Sequence, residues 1–119
     1  MYYLFIVILE GCPYSMSVIN LLDSFKIKYK YLKVIEKDKE KFKTVEIDTF
    51  PQVYLKKNKT NDTLLLGGYT DLNYFIDLFI KQEYYEKNII KFQNKYNLWQ
   101  KKPILRLIEI INQKYIHYL

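Results

Sequence analysis

Eight apolar residues, Tyr2 to Leu9, run without a charge, and Pro13 follows four positions later. The run mixes β-branched and aromatic residues, as a strand buried on both faces does. Pro13 suits the first position of a helix, where its missing N–H costs nothing. Beyond it Met16, Ile19, Leu22 and Phe25 recur every three residues, with Val18 and Leu21 widening the stripe. This predicts an amphipathic helix ending near Phe25. A doubly buried strand that passes at once into a helix belongs inside a sheet flanked by helices.

The rest of the chain extends that arrangement. Lys28 to Ile35 begins with alternating Lys and Tyr and reads as a second strand. The charged stretch Glu36 to Lys43 predicts a short exposed helix running to about Ile47, with Phe42, Val45 and Ile47 as inner contacts. Gln52–Leu55 and Thr63–Leu66 flank a polar turn and predict a hairpin closed by Gly67-Gly68. Thr70 or Asp71 is then expected to cap a helix reaching Gln82, with Leu72, Phe75, Ile76 and Phe79 inside. The order β-α-β-α-β-β-α predicts an α/β fold with a mixed four-stranded sheet. Residues 83–119 read as a helical extension of the domain formed by residues 1–82. Ile89, Phe92, Tyr96 and Trp99 keep helical spacing, Pro103 can start a last helix, and Ile104, Leu107, Ile108, Ile111 and Tyr115 form its stripe. These stripes suit packing on the domain, on a partner or on a second copy of the chain. His117 reads as a surface residue.

Composition narrows the function classes. Half of the 119 residues are hydrophobic, which excludes a disordered chain and provides for one core. Tyr2–Leu9 is too short to span a bilayer, which takes roughly 20 apolar residues. It also lacks the flanks of a signal peptide. One cysteine allows no internal disulfide and suits a reducing compartment. A cytoplasmic protein without a membrane partner is expected. The abundance of Lys, Ile, Tyr and Asn suggests an AT-biased genome: a parasite, an endosymbiont, or a large DNA virus, in which case the place is the host cytoplasm or the virion. The net charge of +6 is uneven: residues 1–80 hold 11 Lys against 10 acids, whereas residues 81–119 hold seven Lys and Arg106 against three acids. Glu83, Glu86 and Glu109 interrupt that basic third, which argues against a nucleic-acid surface.

Cys12 carries the chemistry. At a strand-to-helix junction a thiol meets unpaired first-turn N–H groups and the positive end of the helix dipole. Both favour the thiolate, which is the nucleophile. Two further junctions accompany it. Thr49-Phe50-Pro51 precedes the third strand, where a proline suits a tight turn. Gly67-Gly68-Tyr69-Thr70-Asp71 opens a helix whose N-terminus can hold an anion.

With these three motifs in this order, the chain resembles a glutaredoxin through Cys12-Pro13-Tyr14-Ser15, Thr49-Phe50-Pro51-Gln52-Val53-Tyr54 and Gly67-Gly68-Tyr69-Thr70-Asp71-Leu72. The resemblance covers residues 1 to about 82. It implies a thioredoxin-like fold, a cis peptide before Pro51, and glutathione-dependent thiol–disulfide exchange on glutathionylated protein thiols. By that likeness Cys12 is the nucleophile and Tyr14 flanks its sulfur. Phe50 and Pro51 pair with the cysteinyl unit of glutathione, while Gly68, Thr70 and Asp71 hold the γ-glutamyl end. Lys41 or Lys43 meets the glycyl carboxylate.

Two departures stand out. Ser15 occupies the place where many relatives carry a second cysteine, which leaves a monothiol route. Leu9 stands where many carry a lysine, and Glu10 follows, so the thiolate loses the help of a cation. The sequence leaves two other readings open. One is a carrier in which two Cys12 thiolates and two glutathione thiols hold a [2Fe–2S] cluster. The other is a redox-inactive interaction module built on residues 83–119.

Overall fold

The computed structural model describes residues 1–81 and 85–114. Four strands, β1 (Tyr2–Leu9), β2 (Lys30–Val34), β3 (Gln52–Lys57) and β4 (Thr63–Gly67), form one sheet in the order β2-β1-β3-β4. β1 and β2 are parallel, with Val7 opposite Leu32. β3 runs antiparallel to β1, with Phe5 opposite Tyr54, and β4 antiparallel to β3, with Val53 opposite Gly67. Among the described residues the α-helices are α1 (Pro13–Ser24), α2 (Tyr69–Phe79), α3 (Glu86–Lys95) and α4 (Lys101–Asn112). This is the mixed, helix-flanked, thioredoxin-like sheet that the motifs imply. The parallel pair is joined through α1, as a parallel crossover requires.

The strand pleat divides β1 between two faces. Leu4, Ile6 and Ile8 face a core shared with Val18 and Leu22 of α1, and with Leu72, Phe75, Ile76 and Phe79 of α2. Ile89 and Phe92 of α3, Trp99, and Ile104, Leu107, Ile108 and Ile111 of α4 join the same core. These described apolar residues of the C-terminal helices are thus buried in the same core as the sheet, α1 and α2. Rings dominate the junction: Phe92 stacks on Tyr96 at 4.4 Å and meets Phe75 edge-on at 5.0 Å and Trp99 edge-on at 5.7 Å. Trp99 Nε1 donates to the Leu65 carbonyl of β4 at 3.0 Å, so the extension also covers part of the sheet edge.

Several details correct the reading of the sequence. In α1 the buried residues are Ser15, Val18 and Leu22, whereas Met16 and Phe25 are exposed. Three-residue steps fall roughly 60° short of a helical turn each, so Met16 and Phe25 point to opposite sides and do not share one face. The second strand is shorter than Lys28–Ile35. The charged stretch forms a 3₁₀ helix over Glu36–Phe42 and does not continue to Ile47. In a 3₁₀ helix side chains three apart eclipse, and that spacing pairs Lys39 with Glu36, Lys41 with Asp38 and Lys43 with Glu40. The Thr44 hydroxyl then accepts the N–H groups of Glu46 and Ile47, both at 3.1 Å, and turns the chain out of the helix. Val45 is left fully exposed, while Phe42 and Ile47 are half-buried.

At the C-terminal side, α2 ends at Phe79 and not at Gln82, a residue that lies outside the described ones, as do Glu83, Tyr115 and His117. Trp99 is buried but lies beyond the end of α3 at Lys95. Pro103 is the third residue of α4 and not its first, still within the turn whose N–H groups have no helical partner. No helix among the described residues is long and apolar enough to cross a membrane.

Candidate active site

The site begins with the turn between β1 and α1. The Cys12 N–H donates to the Leu9 carbonyl at 3.1 Å across Glu10-Gly11. Gly11 has φ +80°, the value that position i+2 of a type II turn demands and that only glycine adopts freely. The turn is held from below. Ser15, 1% exposed, accepts the Leu9 N–H on its Oγ at 3.0 Å. The Glu10 N–H donates to the Val34 carbonyl at 2.8 Å, fixing the turn to β2 as well. Ser15, which stands where many relatives carry a second cysteine, therefore also holds the turn, and Gly11 is the residue of this turn that sequence reasoning passed over. The signal for Gly11 was the required turn itself, a glycine between a buried strand and a helix-starting proline.

Cys12 is the N-cap residue of α1, half-buried, with Pro13 in the first helical position. No side chain caps this helix, and no acid stands in its first turn. The first-turn amides thus remain for the sulfur. The thiol donates to the Phe50 carbonyl at 3.7 Å. This contact ties the thiol to the second loop, where the Phe50–Pro51 peptide is cis, as the likeness implied. Pro51 is buried and Phe50 half-buried. The next residue, Gln52, is a buried polar side chain with both ends satisfied: its Nε2 donates to the Phe42 carbonyl at 2.8 Å and its Oε1 accepts the Tyr54 hydroxyl at 2.8 Å. Gln52 thereby anchors the end of the 3₁₀ helix beside the proline loop. Burial raises the Tyr54 hydroxyl above its ordinary pKa, with the Glu46 charge adding to the effect.

The third loop closes on the second. Gly68 lies against Pro51, whose carbonyl oxygen is 3.5 Å from where a Cβ on Gly68 would stand. Gly68 is the N-cap residue of α2, and Asp71, at the third helical position, accepts the Gly68 N–H on Oδ2 at 2.8 Å. Neither Thr70 nor Asp71 is the cap itself, as the sequence had suggested. Asp71 instead supplies the returning half of a capping box. Its carboxylate folds so closely over Gly67 that a Cβ there would stand 2.1 Å from Oδ2, and Gly67 itself has φ +137°. Thr70 is exposed one residue before it.

The structure thus brings Cys12, Phe50, Pro51, Gly68 and Asp71 into one continuous series of contacts. Tyr14 stands in the first turn of α1, 65% exposed, beside the cysteine in sequence. Lys41 in the 3₁₀ helix and Lys43 just after it pair locally, at 3.3 Å to Asp38 and 2.9 Å to Glu40. Such exposed pairs are worth little and exchange readily for another carboxylate.

Residues 1–59 match the family model described as Glutaredoxin. The chain belongs to the glutaredoxin family. The matched span contains the Cys12 and Pro51 loops of this glutaredoxin and stops short of Gly67–Asp71, which the fold brings to the same place. Membership puts the chain among thiol–disulfide oxidoreductases. No curated protein matches the sequence. A [2Fe–2S] cluster takes four ligands. The chain has one cysteine, and among the described residues no three His, Cys, Asp or Glu side chains gather into a metal-binding group. Among the described residues a single chain therefore supplies one sulfur ligand, Cys12, of the four that a cluster takes.

Proposed function

We propose that this glutaredoxin is a monothiol, glutathione-dependent oxidoreductase that reduces protein–glutathione mixed disulfides through Cys12. The observation that carries this reading is the uncapped start of α1. Cys12 stands there with first-turn amides free for its sulfur and its thiol against the Phe50 carbonyl. Glutathione fits what surrounds it. Its cysteinyl unit is an extended peptide that can pair with backbone beside Pro51. Its γ-glutamyl carboxylate suits the amides at the start of α2, and its ammonium suits Asp71. Its glycyl carboxylate suits Lys41 or Lys43.

The Cys12 thiolate attacks the glutathione sulfur of the mixed disulfide. The S–S bond breaks, the substrate's thiolate leaves and takes a proton, and glutathione stays on Cys12. A second glutathione, as thiolate, attacks the sulfur of that bound glutathione. It releases the Cys12 thiolate and glutathione disulfide, so two glutathione units end oxidised and the substrate thiol reduced. Ser15 has no thiol and cannot resolve the intermediate internally. In this reading residues 1–82 hold the machinery and glutathione is the co-substrate, with glutathionylated protein thiols as partners.

The test is turnover of a glutathionylated peptide with glutathione present. The native chain should catalyse it, and Cys12→Ser should return the rate to that of the uncatalysed exchange. Equal turnover by Cys12→Ser would sink the proposal.

A further inference from the structure

The C-terminal helices reach into the site at one atom. The Tyr96 hydroxyl donates to Asp71 Oδ1 at 2.5 Å, while the other oxygen of that carboxylate accepts the Gly68 N–H. We propose that Tyr96 is a positioning residue for Asp71, making residues beyond the domain part of the subsite for the amino end of the substrate. This rests on the glutathione-dependent reading above.

A carboxylate held at one oxygen can still swing about that bond. Held at both oxygens by donors from different elements, it has one plane and one tilt. An ionised carboxylate offers about four acceptor positions, so two remain for an ammonium. Tyr96 is itself fixed. Its ring stacks on Phe92 at 4.4 Å with 14° between planes, and its N–H donates to the Phe92 carbonyl at 2.8 Å. Its own carbonyl accepts the Trp99 N–H at 3.1 Å, and Trp99 is bound in turn to β4 through Leu65. Burial, reinforced by the hydrogen bond to Asp71, holds the Tyr96 hydroxyl well above the ordinary tyrosine pKa. At neutral pH the phenol therefore keeps its proton and donates. The Asp71 carboxylate is the acceptor in both bonds, and its remaining acceptor positions are the ones a substrate ammonium can use.

A tyrosine that merely fastened the extension to the domain would affect all substrates alike. The experiment therefore compares two mixed disulfides of one peptide, one with glutathione and one with an analogue in which a hydrogen replaces the γ-glutamyl amino group. The native chain should favour the first by KM. Tyr96→Phe keeps the ring and removes only the donor. It should raise KM for the glutathione disulfide about tenfold, the scale of one misplaced charge-assisted contact, and leave KM for the analogue unmoved. In an Asp71→Asn background, Tyr96→Phe should add nothing to the lost preference. A preference that survives Tyr96→Phe overturns the inference alone. So does an equal rise for both substrates, or an effect that persists in full beside Asp71→Asn. A native chain that turns over neither substrate overturns the glutathione reading and this inference together.

Discussion

Two helices start on either side of the Phe50–Pro51 peptide, and they are finished in opposite ways. At α1 the cap residue is Cys12, no side chain closes the first turn, and the thiol donates to the Phe50 carbonyl. At α2 the cap residue is Gly68, the Asp71 carboxylate closes the turn, and Tyr96 fastens that carboxylate from outside. Both are strand-to-helix junctions with a glycine in a positive-φ conformation, Gly11 in one and Gly67 in the other. The first leaves a positive dipole end open to an anion. The second places a negative charge on the same kind of end. In the proposed reading the first start keeps its amides for the Cys12 sulfur, while the amides and the Asp71 carboxylate of the second suit the two opposite charges at one end of a zwitterionic peptide. The same local geometry thus acquires its chemistry from what caps it.

The comparison can be broken by disturbing one start at a time. The largest effect is expected for Phe92→Ala, which removes the ring that joins α3 to α2 and supports Tyr96. It should cost about 3–5 kcal/mol of stability in denaturant unfolding. Under native conditions the alkylation rate of Cys12 should stay near that of the native chain, and a parallel collapse of that rate would show that the two starts are one unit. Gly67→Ala comes next. It asks an L side chain to adopt φ +137° with its Cβ 2.1 Å from Asp71 Oδ2, and backbone strain of this kind costs about 1–3 kcal/mol before the clash is counted. Unchanged stability would contradict the described fold of the second start. Ser15→Ala acts on the first start by orphaning the Leu9 N–H, at about 1–3 kcal/mol. Its signature should be an altered Cys12 alkylation rate with the preference for the amino group intact. The smallest effect is expected for Lys43→Gln, within about 1 kcal/mol in stability because its ion pair is exposed. Its KM for glutathionylated peptide should rise at low salt and converge on the native value at high salt. A salt-independent KM would remove Lys43 from the site.

Much of this was legible in the sequence, and the parts that were not share a cause. β1, α1 and the inner face of α2 follow from apolar runs and from prolines and glycines whose local preferences agree with the fold. The Cys12 and Pro51 loops could be located because their residues have few other uses. What escaped was contact between distant segments. That Ser15 turns inward to serve Leu9, or that Gln52 anchors Phe42, depends on where two elements meet, and no period or propensity encodes it. The stripe in α1 was misjudged because three-residue spacing drifts around a helix and Ser15, a polar residue, takes a core position. The charged stretch was read as a short exposed helix but not as a 3₁₀ helix, although its acid–lysine pairs three apart were in view. Tyr96 read as one member of an apolar stripe. Its ring does pack on Phe92, and only the fold shows that its hydroxyl reaches Asp71, 25 residues away in the chain.

In the proposed reaction Cys12 takes glutathione from a mixed disulfide and, with serine at position 15, holds it until a second glutathione arrives. Intact mass of the chain after mixing with glutathionylated peptide, without free glutathione, tests this directly. One glutathione per chain is expected, disulfide-bonded to Cys12, alongside reduced peptide, with its release as glutathione disulfide once free glutathione is added. A chain that stays unmodified, or that carries the peptide in place of glutathione, would contradict it.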